Sequence, residues 1–302
     1  MVDILLAAFN GERFIRQQLD SVLAQTETNW RLFIKDDGST DRTLAIIEEY
    51  KENYPDKIFV SVSPQPTGSA MYNFFSMFPL ASSDYIFLCD QDDIWLPEKI
   101  EKSMEEMHRL ETISNKDMPL FVHTDLCVVD ETLDMRYPSF FRMQKYCLSK
   151  NNFGSALVQN VATGCSVLVN KPLLAMAGSA SPEIIMHDWW LYLIAAAFGK
   201  VGVVKSPTVL YRQHGANTLG AKKIGENAHS IAGMRASFDR THRQAVRFRA
   251  RFSEQLSEKD RQILSAYLDL PNHGKLWRIA TVCRYGFWKH SLRRKIGQIL
   301  SV

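Results

Sequence analysis

The stretch "YIFLCDQDDIWLPEKI", residues 85–100, is the most informative in the chain. Ile86, Phe87, Leu88 and Cys89 run without interruption into Asp90, Asp92 and Asp93. A continuous apolar run that stops at acid is a buried strand whose end emerges at a cleft, and in open α/β sheets ligands sit at that end. Adjacent like charges cost energy unless a cation or hydrogen-bond donors compensate them, so the three acids call for a partner.

Residues 3–9, 30–35, 58–62 and 84–89 are short apolar, β-favouring runs. Segments of helical period lie between the first three. One is "RFIRQQLDSVLAQT", with Phe14, Ile15, Leu19, Val22 and Leu23 on one face; the other is "DRTLAIIEEYKENY". Such alternation predicts βαβ units, hence an α/β fold: a doubly wound, mainly parallel sheet flanked by helices. From residue 119 the pattern loosens into "PLFVHTDLCVVD", "NVATGCSVLVN", a helix through "HDWWLYLIAAAFG" and two short strands at 201–204 and 208–211. These continue the same sheet with a mixed, more irregular half. Beyond about 225 the chain is helical and Arg-rich. The division expected is a nucleotide-binding half at 1–100, an acceptor and catalytic half at 101–220, and a helical basic extension at 221–302.

Composition narrows the class. At 302 residues, 46% hydrophobic and 23% charged, the chain can bury a large core. The longest apolar run, "LYLIAAAF" at 191–198, falls far short of the roughly 20 residues of a membrane span. The N-terminus carries Asp3, Glu12 and Arg13 and no basic leader, which leads us to expect a cytoplasmic protein. Five widely spaced cysteines with no C-x-x-C pair argue against a zinc site or a disulfide framework. Net charge is +3, yet residues 272–302 hold Lys275, Arg278, Arg284, Lys289, Arg293, Arg294 and Lys295 with no acid, so that segment is +7 and the remainder 3 − 7 = −4. A local basic tail predicts an anionic surface as partner and excludes a globally nucleic-acid-binding protein.

A second strand, "FIKDDGSTD" at 33–41, also ends in paired acids, Asp36 and Asp37, before a turn and a helix for which Ser39 or Thr40 is the expected cap. Two strands of one sheet ending in acid favour function over a plain turn. Carboxylates spaced i, i+2 off a strand end, Asp90 and Asp92, can turn toward one hard cation. That cation in turn neutralises a diphosphate leaving group. The competing reading makes "DQDD" a solvated turn with Asp92 or Asp93 capping the helix near Pro97.

"AAFNGERFIRQQLDSVLAQT", "KDDGSTDRT" and "CDQDDIWLPEKI", in that order, resemble the family 2 glycosyltransferases of GT-A fold, and the "DQDDIW" form is similar to bacterial rhamnosyltransferases that build surface polysaccharides. The resemblance covers residues 1–217. It implies that Ala8, Phe9, Asn10, Glu12, Asp36 and Asp37 line the nucleotide site, with Gln91 beside them. It also implies that Asp90 and Asp92 are the D-x-D pair for Mn²⁺ or Mg²⁺, and that Gly68 and Asn73 of "GSAMYNF" contact the sugar nucleotide. Asp188 of "HDWW" matches the family's base, which accepts the acceptor's hydroxyl proton; the alternative is an acid favoured by a helix dipole, with Trp189 and Trp190 as core or interface aromatics on the acceptor side. "VLYRQHGAN" at 209–217 implies His214 as third metal ligand and Arg212 as a phosphate contact. His123, Asp125, Thr163 and Gly164 fall where the family's acceptor side and sugar pocket form. The Q-x-x-R-W motif of processive members is lacking, which points to a transferase that adds one or a few sugars.

In the tail, Leu276, Ile279, Val282, Cys283, Phe287 and Leu292 interleave with Lys and Arg. A helix of this kind lies on an anionic membrane surface beside a lipid-linked acceptor, or packs as a core helix or homodimer contact. A haloacid-dehalogenase-like phosphatase also has an apolar strand ending in D-x-D, but near the start of its domain. A scaffold protein of the same fold would lack the acids. The expectation is therefore an inverting, metal-dependent transferase. Its donor is dTDP-β-L-rhamnose, with a UDP-sugar as the alternative, and its acceptor a glycan or polyprenyl-linked glycan at the cell surface.

Overall fold

A computed structural model describes residues 1–215 and 231–301, the side chains of 231, 232, 300 and 301 excepted. Ala216, Asn217 and the boundary expected at 220/221 lie outside the described residues. In chain order the elements are β1 (Val2–Ala8), α1 (Ile15–Leu23), β2 (Trp30–Asp36), α2 (Thr43–Asn53), β3 (Ile58–Val62), α3 (Ala70–Met77), β4 (Tyr85–Asp90), β5 (Ile94–Trp95), α4 (Lys99–Ile113), β6 (Leu120–Val129) and β7 (Met135–Tyr137). There follow α5 (Phe140–Gln144), α6 (Phe153–Val158), β8 (Val167–Asn170), α7 (Lys171–Ala177), α8 (His187–Phe198), β9 (Lys200–Arg212), α9 (Ile231–Phe252), α10 (Glu258–Leu268), α11 (Lys275–Tyr285) and α12 (Leu292–Ser301).

One sheet runs β3-β2-β1-β4-β8-β6-β9-β5, with β7 pairing β6. The first four strands are all parallel, as βαβ crossovers require. The half beyond β4 is mixed: β8 is antiparallel to β4 and β6, while β9 is parallel to β6. Strand register brings the acids together. Ala8 lies opposite Asp36 on β2, and Ala7 opposite Asp90 on β4, so both acid-ended strands finish at one edge beside two small residues.

The predicted apolar face of α1 is buried at Phe14, Ile15, Leu19 and Val22. The two strands expected at 201–204 and 208–211 are a single strand, β9, whose pairing with β6 slips between Thr124 and Leu126. Pro207 lies in that slip, where its missing N–H costs no ladder bond. Neither Ser39 nor Thr40 caps α2; it begins at Thr43, whose N–H donates to Asp41 Oδ1 at 2.9 Å. The tail is two helices, because Gly286 takes the left-handed conformation at φ +71° and ends α11. Phe248, Phe252, Tyr267, Val282 and Phe287 join Trp190, Leu191 and Phe153 in one apolar cluster, so the C-terminal helices pack on α6 and α8. Leu276 (86% exposed) and Leu292 (74%) stay outside that cluster.

Candidate active site

The edge where β1, β2 and β4 end floors a cleft of about 640 Å³, lined among others by Ala8, Phe9, Asn10, Asp37, Gly68, Asn73, Asp90, Gln91, Asp92, Thr163, Gly164, Asp188 and His214. Asn10 holds a left-handed conformation at φ 46°, in which its Oδ1 accepts the Thr40 N–H at 2.8 Å and its own N–H donates to Ser39 Oγ at 2.8 Å. Those bonds tie the end of β1 to the turn after β2. Gln91 clasps Phe9 from both sides: Phe9 N–H donates to Oε1, and Nε2 donates to the Phe9 carbonyl, each at 2.8 Å. A Cβ on Gly11 would strike that Gln91 amide at 2.2 Å, so glycine is needed there for the close approach. Phe9 itself is 48% exposed at the cleft, an aromatic face open to a flat ring.

Asp37 is buried and accepts Thr67 N–H (2.8 Å), Thr67 Oγ1–H (2.9 Å) and Gly68 N–H (3.0 Å), which hangs the 67–68 loop over the cleft. Asp36 is turned back into its own turn, accepting Gly38 N–H at 3.0 Å and Ser39 N–H at 2.8 Å. Glu12 accepts the Arg42 N–H at 2.9 Å. Neither lines the cleft, so the structure gives both a scaffolding place and not the nucleotide contact expected of them.

Three carboxylates converge from separate elements: Asp90 at the end of β4, Asp92 two residues on, and Asp188 in the first turn of α8. Burial, then the Asp92 and Asp188 charges, push the Asp90 carboxyl up to about 8. Burial also raises Asp188 to about 6, opposed by hydrogen bonds from Trp189 N–H (2.7 Å) and Asn160 Nδ2 (3.1 Å). His214 Nε2 lies 2.7 Å from Asp92 Oδ2, so imidazole and carboxylate stand side by side on one wall. Acid of this density is what a divalent cation relieves, and the oxygen-plus-imidazole set suits Mn²⁺ or Mg²⁺. A tighter group, Asp90, Asp93 and Cys165, has ligand atoms within 4.8 Å of one another. Asp93 and Cys165 do not line the cleft, and burial raises both well above their ordinary range. A protonated thiol in the core is no ligand for a hard cation, so Asp90, Asp92 and His214 are the better metal set. Asp93 is no helix cap either; it accepts the Arg212 N–H at 2.9 Å, and α4 begins six residues later.

Arg212 is buried beneath the cleft, not in it. Its guanidinium donates to the Asp92 carbonyl (2.8 Å), the Glu131 carbonyl (2.7 Å) and Gln17 Oε1 (2.6 Å), so it positions the acidic loop and makes no wall for a phosphate. His123 is enclosed in β6 and pushed down to about 3 by burial; Asp125 accepts Leu126 and Phe141 N–H groups at 2.8 and 2.9 Å. Trp190 donates to the Ala177 carbonyl and packs on Phe248 and Phe252. None of these three reaches the cleft, contrary to their expected place on the acceptor side. Trp189 lines a second cavity of about 450 Å³, which shares only Met186 and Asp188 with the first. Arg13 and His187 are among the cleft residues that escaped the sequence reading. His187 is buried, stacked 4.0 Å from the Phe74 ring centroid, and adjacent in sequence to Asp188, which was the available signal.

Comparison with known proteins agrees with this geometry. The glycosyl transferase family 2 pattern matches residues 3–118, which include both acid-ended strands. The dTDP-rhamnosyl transferase RfbG of Shigella flexneri is 30% identical over 228 residues, covering 72% of this chain and 74% of that protein. An uncharacterized glycosyltransferase of Nostoc is 24% identical over 77% of this chain and 72% of its own length. Among solved structures, S. aureus TarS 1–349 in complex with UDP-GlcNAc superposes with a TM-score of 0.60 at 14% identity, over 94% of this chain and 80% of that one. The mannosyltransferase PcManGT of Pyrobaculum calidifontis, in complex with GDP-Man and Mn²⁺, gives 0.52 at 13% identity over 93% and 73%. The last two share the fold alone. The acid-ended parallel strands, the cleft they floor and these matches together make the chain a glycosyltransferase of GT-A fold, belonging to glycosyl transferase family 2.

Proposed function

We propose that the chain is an inverting, metal-dependent rhamnosyltransferase that uses dTDP-β-L-rhamnose and forms an α-L-rhamnoside on a lipid-linked cell-surface glycan. The observation that carries the reading is Asp188, which lines both cavities at once. A base for direct displacement has to stand between donor and acceptor, and among the described residues it is the one acid of the cleft that does so.

In this reading Phe9 stacks on the base of the nucleotide, while the 67–68 loop held by Asp37 and the side chain of Asn73 border the sugar. Asp90, Asp92 and His214 would hold Mn²⁺ or Mg²⁺, which would offset the charge that builds on the departing diphosphate. Asp188 accepts the proton of the acceptor hydroxyl as that oxygen attacks the anomeric carbon from the face opposite the diphosphate. Its carboxyl sits at about 6, near neutrality, where a base is both ionised and able to take a proton. Thr163, Gly164 and His187 shape the cleft beside it. Support for rhamnose comes from the Shigella relative; a UDP-sugar is the rival donor.

Leu276, Trp277, Leu292, Ile296 and Ile299 are exposed among the basic residues of α11 and α12, and we place this face on an anionic membrane at the cytoplasmic side, with a homodimer contact as the competing use. Among the described residues no helix is long and apolar enough to cross a membrane. The test of the base is Asp188→Asn: transfer is lost and donor binding kept. Equal loss of both would remove Asp188 from that part.

A further inference from the structure

The second cavity is cationic in a way that the transfer reaction alone does not explain. Arg240 comes to it from α9, Arg278 from α11, Lys289 from the turn after α11 and Arg294 from α12. Asp188, at the border with the donor cleft, is the sole acid among the described residues that line it. Among the described residues, no ion pair joins any of the four cations to a carboxylate. Where they are held, neutral oxygens hold them. Arg278 donates to the His273 (2.6 Å) and Pro271 (3.1 Å) carbonyls, Arg294 to Gln144 Oε1 (2.5 Å), and Lys289 to Ser237 Oγ at 3.3 Å. These bonds orient the side chains and, among the described residues, bring no carboxylate into an ion pair with them. Burial, then Arg294 and Arg240, lower the Lys289 ammonium to about 8, the direction expected of a cation set among like charges.

We propose that this cavity grips the acceptor by a phosphoryl group, with Arg240, Arg278, Lys289 and Arg294 as its counter-charges and the accepting sugar reaching back to Asp188. The inference rests on the transferase reading and narrows its acceptor. Guanidinium forks and an ammonium point charge are the side chains that recognise phosphate oxygens. Four cations converging on one cavity suit a diphosphate better than a single carboxylate. Trp189, Phe238 and Tyr267 supply ring faces on which a sugar can stack between phosphate and base. The phosphoryl group has two sources, a lipid diphosphate linker or a phosphate within the glycan. Leu292 and Ile296, exposed on the same helix as Arg294, mark where a lipid tail would leave.

The test is calorimetric titration of the full chain in EDTA with inorganic pyrophosphate and, separately, with farnesyl diphosphate. Without metal, the acids of the donor cleft repel both probes. Wild type binds them, and Lys289→Met and Arg240→Gln each weaken binding at least tenfold; Arg240 is exposed on its helix, so that variant folds regardless. Mn²⁺-dependent binding of nucleoside diphosphate stays unchanged in both variants. Tighter binding of farnesyl diphosphate than of pyrophosphate assigns the lipid linker, and equal binding assigns a glycan phosphate. Wild type that binds nucleotide but neither probe, or variants that bind the probes as wild type does, overturns the cavity assignment alone. Wild type that binds the probes but no nucleotide overturns the donor reading and leaves the cavity standing.

Discussion

Asp188→Asn separates catalysis from stability, and the structure sets the size of both effects. The carboxyl is buried, and burial lifts it from an ordinary 3.8 to about 6. Holding it ionised at neutral pH therefore costs the fold about 2 pK units, or ~3 kcal/mol at 1.36 kcal/mol per unit, as an upper figure. Asparagine removes that cost and keeps an oxygen for the Trp189 N–H. Its amide also meets the Asn160 Nδ2 donor at the second oxygen position, which returns about 1 kcal/mol. The net gain of ~1–2 kcal/mol raises Tm by a few degrees in a chain of this size. Loss of a positioned base slows transfer by about 10²–10⁴-fold, equivalent to ~3–5 kcal/mol of transition-state stabilisation. The assay pairs a thermal melt with single-turnover transfer at saturating donor, and calorimetry gives the donor affinity. The expected pattern is higher Tm, unchanged donor affinity and lost turnover. A variant that turns over within a factor of ten of wild type refutes Asp188 as base, and one that melts lower refutes the electrostatic cost assigned to it.

Four further outcomes are expected at and around the same site. Asp90 and Asp188 bind protons in the folded protein that they release when unfolded, between their ordinary 3.8 and about 8 and about 6. The metal-free protein thus loses stability as pH rises through that window, and melts in EDTA from pH 4 to 8 measure the decline; saturating Mn²⁺ flattens it, and a rise with pH in EDTA contradicts the sign. Asp92→Ala removes a proposed metal ligand and leaves His214 without its carboxylate partner, so metal-dependent tightening of nucleotide binding disappears; undiminished metal dependence takes Asp92 out of the site. Phe9→Ala deletes an exposed stacking face and weakens nucleotide binding about tenfold, the scale of ~1–1.5 kcal/mol for an aromatic pair, with no change in Tm. Replacing Leu292, Ile296 and Ile299 together by Ser lowers binding to anionic liposomes by tenfold or more and leaves the melt unchanged, since all three are exposed; undiminished binding removes α12 from the membrane face. Substitution is the cleaner test than deletion of 272–302, because Val282 and Phe287 are core residues.

The parallel half of the sheet was legible in the sequence because its strands are short apolar runs, two of which, β2 and β4, end in acid, a pattern carried by consecutive residues. Which acid points outward was not. Asp36 and Asp37 are neighbours, yet one closes its own turn and the other holds a distant loop, a choice made by the left-handed Gly38 and by contacts 30 residues away. Arg212 was expected as a phosphate contact, but three oxygens from separate segments draw it under the cleft. The cationic cavity left the faintest trace, since its four side chains come from three helices and a turn that meet only after packing. In sequence its basic residues merge with those of a solvated tail. Trp190 looked interchangeable with Trp189, and helix geometry sends one into the core and the other to the second cavity.

Donor and metal are decided together by calorimetric titration of the chain with dTDP-β-L-rhamnose, and with UDP- and GDP-sugars, in Mn²⁺ and again in EDTA. Selective binding of the thymidine donor, lost with the metal, is the expected result. Selective binding of a uridine donor would contradict the rhamnose assignment, and binding unaffected by EDTA would contradict the role given to Asp90, Asp92 and His214.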